Sequence, residues 1–201
     1  METVKRANVR NSDRISPRER ILTAASDLFY RHGIRAVGVE TIAEEAETNK
    51  MTLYRHFHSK DELVAQYLHR SSWDRLEARH SGNPSAQLRA WLKDMAAQVA
   101  KRDERGCPLA NAAVELPERD HPARRVIEAF KTAQRERLIQ LCAAAALAEP
   151  EMLADELFLL LEGVRVTAQS VGPKGLGDRL VRMGEAMINA HTKIEKARSV
   201  N

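Results

Sequence analysis

Cysteine is scarce in this sequence, and its scarcity excludes two classes of small protein. Cys107 and Cys142 are the only cysteines in 201 residues. Two cysteines cannot build a disulfide framework, and no set of Cys and His residues has the spacing of metal ligands. We therefore predict neither a structural metal nor a cofactor, and we expect the protein to reside in a reducing cytoplasm.

Glycine, proline and long apolar runs are scarce as well. The 9 glycines and 7 prolines stand mainly at breaks between periodic segments, which favours helices. The most apolar tracts, near residues 138–148 and 157–161, are too short or too interrupted to span a bilayer. The N-terminus is polar and basic, which is not typical of a secretory signal. With no strand alternation and no internal repeat, the pattern predicts an all-α protein.

Charged residues, in contrast, are abundant. They make up 30% of the chain and give a formal net charge of +4. This mildly basic balance permits nucleic acid as a partner without requiring it.

The stretch from Thr41 to Glu62 carries the strongest pattern. Its apolar residues form two edges at helical spacing, which are Ile42, Ala43 and Ala46, then Leu53 and Phe57. Asn49 is a good N-cap for a helix over 50–56, because its side-chain oxygen can accept hydrogen bonds from free amides. So short a helix is not stable alone, and neighbouring helices must hold it. Its outward basic, hydroxyl and aromatic groups are what a reader of the DNA major groove requires.

The helices on either side of this pair have clear boundaries. Ser16 and Pro17 predict the start of a first helix, and Gly33 predicts its end. Ser59 and Glu62 form a capping box, so a further helix is predicted to start at Lys60.

The segment LYRHFHSKDEL (Leu53–Leu63), preceded by TIAEEA, closely resembles the DNA-binding signature of the TetR family of bacterial transcriptional regulators. The chain departs from the family pattern at Glu47 and Met51, where the family usually has glycine. A residue other than glycine must therefore end a helix at position 47. At position 51 a long side chain stands where DNA would come close. We interpret both departures as changes in operator preference and not as loss of DNA binding.

The resemblance implies a two-part all-α fold. It places a three-helix, helix-turn-helix DNA-binding head at residues 16–58 and a helical ligand-binding and dimerisation body at 59–192, followed by a polar tail at 193–201. Residues 1–15 are expected to form a flexible basic arm, either a loose leader or an arm that contacts phosphates or the minor groove. The implied function is a repressor that binds a palindromic operator as a homodimer and is released by a small-molecule effector.

The resemblance also implies which residues contact double-stranded DNA. The expected phosphate contacts are Gly38, Thr41, Tyr54, His56 and Lys60. The expected contacts with base edges are Thr48, Lys50, Met51 and Thr52, and the N-cap Asn49 is included among the DNA-binding residues. Each could instead be a packing or solvated surface residue, and for Met51 the two readings are equally good.

The last two predicted helices, over 152–171 and 178–191, carry more apolar surface than one helical body needs. They resemble the paired helices of the family's dimer interface. The expected interface residues are Leu157, Leu161, Val164, Leu180, Gly184, Met187, Ile188 and His191. The alternative is that these residues belong to an ordinary core.

Effector binding is implied by the resemblance, and some residue types suit it. The candidate ligand-binding residues are Trp73, Trp91, Met95, Leu109, Asn111, Phe130, Gln134, Phe158, Glu162 and Arg165. Aromatic residues and Met at helical spacing are more often core, and Glu162 could simply pair with Arg165 three residues on.

Cys107 offers a different switch. It lies beside Arg105 and Gly106 at a helix start, where a cation and the helix dipole lower a thiol pKa. A regulator switched by oxidation or alkylation of Cys107 is therefore an alternative, and a small buried side chain is the simpler interpretation. A helical protein-interaction module that keeps a helix-turn-helix head is a further alternative. An enzyme is not expected, because no phosphate loop, metal motif or His/Asp/Ser set is evident.

Overall fold

The computed structural model describes residues 15–76, 82–101 and 105–198, with only the backbone of residues 73–76, 101 and 193–198. Within these ranges the chain forms helices and no strand, which confirms the predicted all-α fold. The helices are α1 Pro17–His32, α2 Val39–Glu45, α3 Lys50–His56, α4 Lys60–Leu76, α5 Pro84–Lys101, α6 Pro108–Glu115, α7 Pro122–Ala144, α8 Pro150–Val171 and α9 Leu176–Arg198. Among the described helices, none has the length and apolar character needed to cross a membrane.

The structure describes most of the predicted C-terminal tail but little of the predicted N-terminal arm. Residues 1–14 of the predicted arm lie outside the described residues. At the other end, α9 continues to Arg198, so most of the predicted tail is helical in its backbone. The sequence after Thr192 contains no glycine or proline and is rich in good helix formers, which explains why the helix does not stop there.

Local capping signals fix the helix boundaries near the N-terminus. The backbone N–H of Glu19 donates to Ser16 Oγ at 3.2 Å, and Pro17 occupies the first turn of α1. Gly33 ends α1 with a φ of 89°, in the left-handed region that glycine enters without steric cost. These observations agree with the predicted start and end of the first helix.

The chain divides into two compact units. The first comprises the chain up to Ser72 together with Asn111–Ile127. It is larger than the head predicted at residues 16–58, because α4 contributes buried side chains such as Leu63 and Leu68. Tyr67 of α4 packs against Phe29 of α1, with ring centroids 5.7 Å apart.

The segment around α6 joins the first unit through polar contacts. The backbone N–H of Arg35 donates to Glu115 Oε2 at 3.0 Å, and its guanidinium lies 3.2 Å from Glu118 Oε1. His121 Nε2 lies 3.3 Å from Asp61 Oδ1 on α4. These partners are far apart in sequence, so the local patterns gave no indication that residues 111–127 belong to this unit.

The second unit comprises Trp73–Ala110 and the chain from Glu128 onwards. Its core is formed by aliphatic side chains of α5, α7, α8 and α9. The members that are at most 1% exposed are Leu88, Leu92, Leu138, Cys142, Leu153, Ala154, Leu157, Leu161, Leu180 and Ile188. Helices α5 and α9 approach closely at Gly184, where a Cβ would stand 2.6 Å from Leu92 Cδ2. A larger residue at position 184 would therefore require the Leu92 side chain to move.

The residues predicted for the dimer interface lie in this core, which corrects that prediction. Leu157, Leu161, Val164, Leu180, Ile188 and His191 are buried within one chain, Met187 packs against the core, and Gly184 faces Leu92. Apolar periodicity shows that a helix face is buried but not which chain buries it. The large apolar side chains that α8 and α9 leave exposed are Met152, Leu159, Val166, Val171 and Met183.

Candidate nucleic-acid interface

Helices α2 and α3 form a helix-turn-helix that packs on α1. Leu53 on the inner face of α3 and Phe57 at its C-terminus are both fully buried. Ile42 of α2 and Ile21 of α1 are also fully buried in the same unit. Since α3 has only seven residues, burial of these side chains supplies the stability that the isolated helix lacks. The outer face of α3 is thereby left free for another molecule.

Glu47 forms the turn between the two helices in a left-handed conformation, with a φ of 49°. The N–H of Thr48 donates to the carbonyl of Ala43 at 2.9 Å, and the N–H of Glu47 donates to the carbonyl of Glu44 at 3.0 Å. This pair of bonds is a Schellman motif, which normally places glycine at the left-handed position. The departure from glycine noted in the sequence therefore falls on a residue that must adopt a strained conformation.

Arg20 of α1 stabilises this turn through two hydrogen bonds to its carbonyl groups. Its Nε donates to the carbonyl of Ala46 at 3.1 Å, and its Nη2 donates to the carbonyl of Glu47 at 3.4 Å. The guanidinium thus satisfies carbonyls at the C-terminal end of α2, where a cation is also favoured by the helix dipole. Sequence reasoning missed this residue, because 26 positions separate donor and acceptor and no local motif connects them.

Two side-chain caps set the start of α3 and of α4. Asn49 Oδ1 accepts from the N–H of Thr52 at 2.8 Å, as predicted. Ser59 Oγ accepts from the N–H of Glu62 at 3.0 Å. In a capping box, the Glu62 carboxylate would accept from the N–H of Ser59. Here Glu62 Oε2 accepts instead from the N–H of His58 at 2.8 Å, and it also lies 2.9 Å from the ring Nδ1 of His58. The hydrogen bonds from His58 lower the pKa of the Glu62 carboxyl.

The predicted DNA contacts divide into exposed and half-buried side chains. Those that are exposed are Gly38, Thr41, Asn49, Lys50, Met51 and Tyr54, and those that are half-buried are Thr48, Thr52, His56 and Lys60. Met51 is the most accessible of the large ones, at 79% exposed, whereas Tyr54 is 38% exposed. The set therefore forms a surface around α3 and the N-terminus of α2, with no member in the core.

Lys50 at the first position of α3 forms an ion pair with Glu40 of α2. Its Nζ lies 2.6 Å from Glu40 Oε1, and both side chains are more than half exposed. The hydrogen bond lowers the pKa of the Glu40 carboxyl and raises the pKa of the Lys50 ammonium. Glu40 was not among the predicted site residues, because its partner is ten residues away on another helix.

His56 and Lys60, both expected at phosphates, are partly enclosed. His56 Nε2 is buried and makes no hydrogen bond to any residue that the structure describes. Lys60 Nζ lies 5.9 Å from the centroid of the Phe29 ring, and burial lowers the pKa of this ammonium.

Comparison with known proteins shows what this surface resembles. The profile of the bacterial regulatory proteins of the tetR family matches residues 21–67, from α1 into α4. The crystal structure of a TetR-family transcriptional regulator from Streptomyces coelicolor superimposes with a TM-score of 0.78 at 26% identity, over 87% of this chain and 95% of that one. The chain is therefore similar to TetR-family regulators in its DNA-binding segment and in its fold.

Two further relatives extend the comparison. A protein from Streptomyces avermitilis, described as a TetR transcriptional regulator, covers 88% of this chain and 98% of its own length, with a TM-score of 0.77 and 28% identity. The transcriptional regulator LmrA of Bacillus subtilis is 31% identical over 57% of this chain, and the match spans 65% of that protein's length. All three of these proteins are described as transcriptional regulators.

Of the effector residues predicted from the TetR resemblance, four make contacts within one cluster of the second unit. Arg165 Nη1 donates to Glu162 Oε1 at 2.8 Å, and its Nη2 lies 3.8 Å from Met95 Sδ. Lys131, which the sequence analysis did not single out, lies 2.6 Å from Glu162 Oε2, and its ammonium is 5.6 Å from the Phe158 ring centroid. Gln134 follows Lys131 by one turn of α7 and is 4% exposed.

The other effector candidates differ in burial and in the unit to which they belong. Leu109 and Phe130 are buried, and Trp91 packs against the core. Asn111 belongs to the first unit. The side chain of Trp73 lies outside those that the structure describes.

Cys107 is buried at 4% exposed, and Cys142 is completely buried. Burial raises the pKa of the Cys142 thiol to about 11. Redox sensing needs an accessible thiolate, so the location of Cys107 favours the simpler interpretation of a small packed side chain. In the part of the chain that the structure describes, no group of three His, Cys, Asp or Glu residues is arranged to hold a metal ion.

Replacing Glu47 with glycine should raise the free energy of unfolding by about 1 kcal/mol, because glycine adopts the left-handed turn without steric cost. Chemical denaturation of the full-length protein measures this change. The matched control is Glu45→Gly, two residues earlier in α2, which should lower stability by about 1 kcal/mol. A loss of similar size in both variants would show that the turn is not strained.

Both thiols should react slowly with Ellman's reagent in the native protein and completely after unfolding, since neither is exposed. The measurement is the absorbance of the released thiolate over time, with Cys107→Ser and Cys142→Ser as the comparison. Rapid native labelling that disappears only in Cys107→Ser would contradict the buried assignment and favour the redox alternative.

Proposed function

We propose that this protein is a transcriptional regulator that binds a palindromic DNA operator as a homodimer, represses transcription there and is released by a small-molecule effector. The observation that supports the proposal is that α3 is held firmly by its neighbours while its polar face remains exposed. A short helix is capped by Asn49, anchored by Leu53 and Phe57, and turned outward with Lys50 and Tyr54 exposed. A helix held in this way can enter the major groove.

Phosphate and base contacts have separate roles in this proposal. Tyr54, His56 and Lys60 lie at the end of α3 and the start of α4, where hydroxyl, imidazole and ammonium groups bind phosphate oxygens. Lys50 and Thr52 lie at the start of α3, the end of a recognition helix that contacts base edges. Phosphate contacts give affinity on any duplex, and base contacts give preference for one sequence.

The exposed apolar surface of α8 and α9 supports the proposed homodimer. On α8, Leu159 and Val166 are 66% and 57% exposed, and Gly163 lies between them with open space around its Cα. On α9, Met183 is 45% exposed, and Ala186 and Ala190 continue its stripe at helical spacing. Exposed apolar stripes with small residues allow close packing of helices from a second copy. This revised interface replaces the residues that proved to be buried.

The proposal places the effector in the second unit, at the cluster of Met95, Lys131, Phe158, Glu162 and Arg165. Charged groups are rarely buried without a specific role. The proposed site of action is the cytoplasm, where the chromosome of a bacterium is found and where Cys107 and Cys142 remain reduced.

Fluorescence anisotropy across a salt series tests DNA binding, with duplexes from upstream of the protein's own gene and a scrambled duplex. Wild type should prefer the upstream duplex and bind both more weakly as salt rises. Tyr54→Phe should weaken binding about tenfold on both duplexes, because a hydrogen bond to a charged phosphate is lost. Tyr30→Phe on α1 is the matched control and should bind as wild type does. Equal binding by Tyr54→Phe and wild type would contradict the assigned surface.

Glu40→Gln should bind DNA more tightly on both duplexes, because it removes a negative charge that repels the phosphates and releases Lys50 from its ion pair. The gain should be larger on the upstream duplex, since Lys50 is assigned to base edges. Glu45→Gln removes the same charge from an exposed position elsewhere on α2 and should have the smaller effect. Equal affinities of Glu40→Gln and Glu45→Gln on the upstream duplex would contradict the role assigned to Lys50.

Val166→Glu should convert the dimer to a monomer, since it places a charge in the middle of an apolar interface. Sedimentation velocity measures the mass. Val114→Glu, at an equally apolar residue that is 82% exposed on α6, should leave the mass unchanged. A monomeric wild type, or a Val166→Glu variant that stays dimeric, would refute the proposed face.

A further inference from the structure

The charged cluster of the second unit pairs one carboxylate with two cations. Among the side chains that the structure describes, Glu162 contacts both, with Oε1 at Arg165 and Oε2 at Lys131. The side chains of Arg165 and Lys131 are only 10% and 20% exposed. Burial would raise the pKa of the Glu162 carboxyl, but the two cations hold it below its usual value, so the carboxylate stays charged at neutral pH. The three residues together therefore carry a net charge of +1.

The cluster contains more hydrogen-bond donors than hydrogen-bond acceptors. Arg165 has five N–H donors and Lys131 has three, whereas Glu162 supplies a single carboxylate. Arg165 Nη2 is directed at Met95 Sδ, at 3.8 Å, and a thioether is a weak acceptor. Buried cations without full compensation are costly unless an anion joins them.

Gln134 supplies a second, independent indication of a ligand site. It lies three residues after Lys131 on α7, so the two side chains are neighbours on one helix face. Its Oε1 is buried and accepts no hydrogen bond from the residues that the structure describes. An unsatisfied buried acceptor costs free energy that a donor on a bound ligand would recover.

We propose that this cluster binds a small hydroxylated aromatic carboxylic acid. The carboxylate lies between Lys131 and Arg165, and the hydroxyl group donates to Gln134 Oε1. The ring packs against Phe158 and Met95, since an aromatic ring and a thioether form favourable contacts with aromatic ligands. This inference rests on the proposed function for its biological meaning, because it names the chemical class of the effector.

Isothermal titration calorimetry of the full-length protein tests the inference without DNA. The probes are 4-hydroxybenzoate, the neutral 4-hydroxybenzamide and the cationic 4-hydroxybenzamidine, which share one shape and differ in charge. The acid should bind at least about tenfold more tightly than the amide, because its hydrogen bonds to two cations are charge-assisted. The amidine should not bind measurably.

Two variants of the cluster should change the affinity for 4-hydroxybenzoate in opposite directions. Lys131→Met should weaken binding of the acid about tenfold or more. Glu162→Gln should strengthen it, because the competing carboxylate is removed, and a gain of affinity cannot result from misfolding. Gln134→Leu should abolish the advantage of 4-hydroxybenzoate over benzoate. Arg135→Met is the matched control, since Arg135 lies one turn after Lys131 but pairs with Asp155 at a more exposed position.

Equal binding of the three probes, or no saturable binding of 4-hydroxybenzoate at millimolar concentration, would overturn the inference. The same conclusion follows if Lys131→Met and Arg135→Met bind the acid equally. These outcomes are independent of the DNA experiment. A protein that binds its operator but not the acid disproves the ligand class alone, and one that binds the acid but no DNA disproves the proposed regulator alone.

Discussion

The structure of the head depends on one constraint, which is that α3 is too short to be stable by itself. Its seven residues form a helix only because Leu53 and Phe57 are buried where α3 packs against α1 and α2. The apolar anchors leave the opposite face to polar and basic side chains. The need for support and the exposure of a reading surface are therefore two consequences of the same amphipathic pattern.

The position of α3 relative to α2 is set by the turn at Glu47. The two Schellman hydrogen bonds and the Arg20 guanidinium fix a conformation that a non-glycine residue adopts at a steric cost. Burial of the anchors and the bonds of Arg20 offset that cost. The chain thus forms a Schellman turn with a non-glycine residue at the left-handed position, and the carboxylate of that residue adds a negative charge next to α3 in the sequence.

The sequence predicted those features that local chemistry determines. Asn49 and Ser59 cap their helices as expected, because each cap acts over three residues. Contacts between distant positions were not predictable, and Arg20, Glu40 and Lys131 were missed for that reason. The dimer residues were misplaced, since a stripe such as Leu157–Leu161 indicates burial without showing whether one chain or two chains supply the neighbours. The same ambiguity explains why the predicted head lacked residues 111–127, whose contacts are polar and long-range.

The central claim is that two copies of α3 read DNA together. Selection of binding sequences from a random duplex library, with the full-length protein and no assumed operator, tests this claim most directly. The account predicts enrichment of a palindrome whose half-site centres are about 10 base pairs, one turn of DNA, apart. Enrichment should also depend on Lys50 and Thr52. No enriched sequence, or a site without two-fold symmetry, would contradict it.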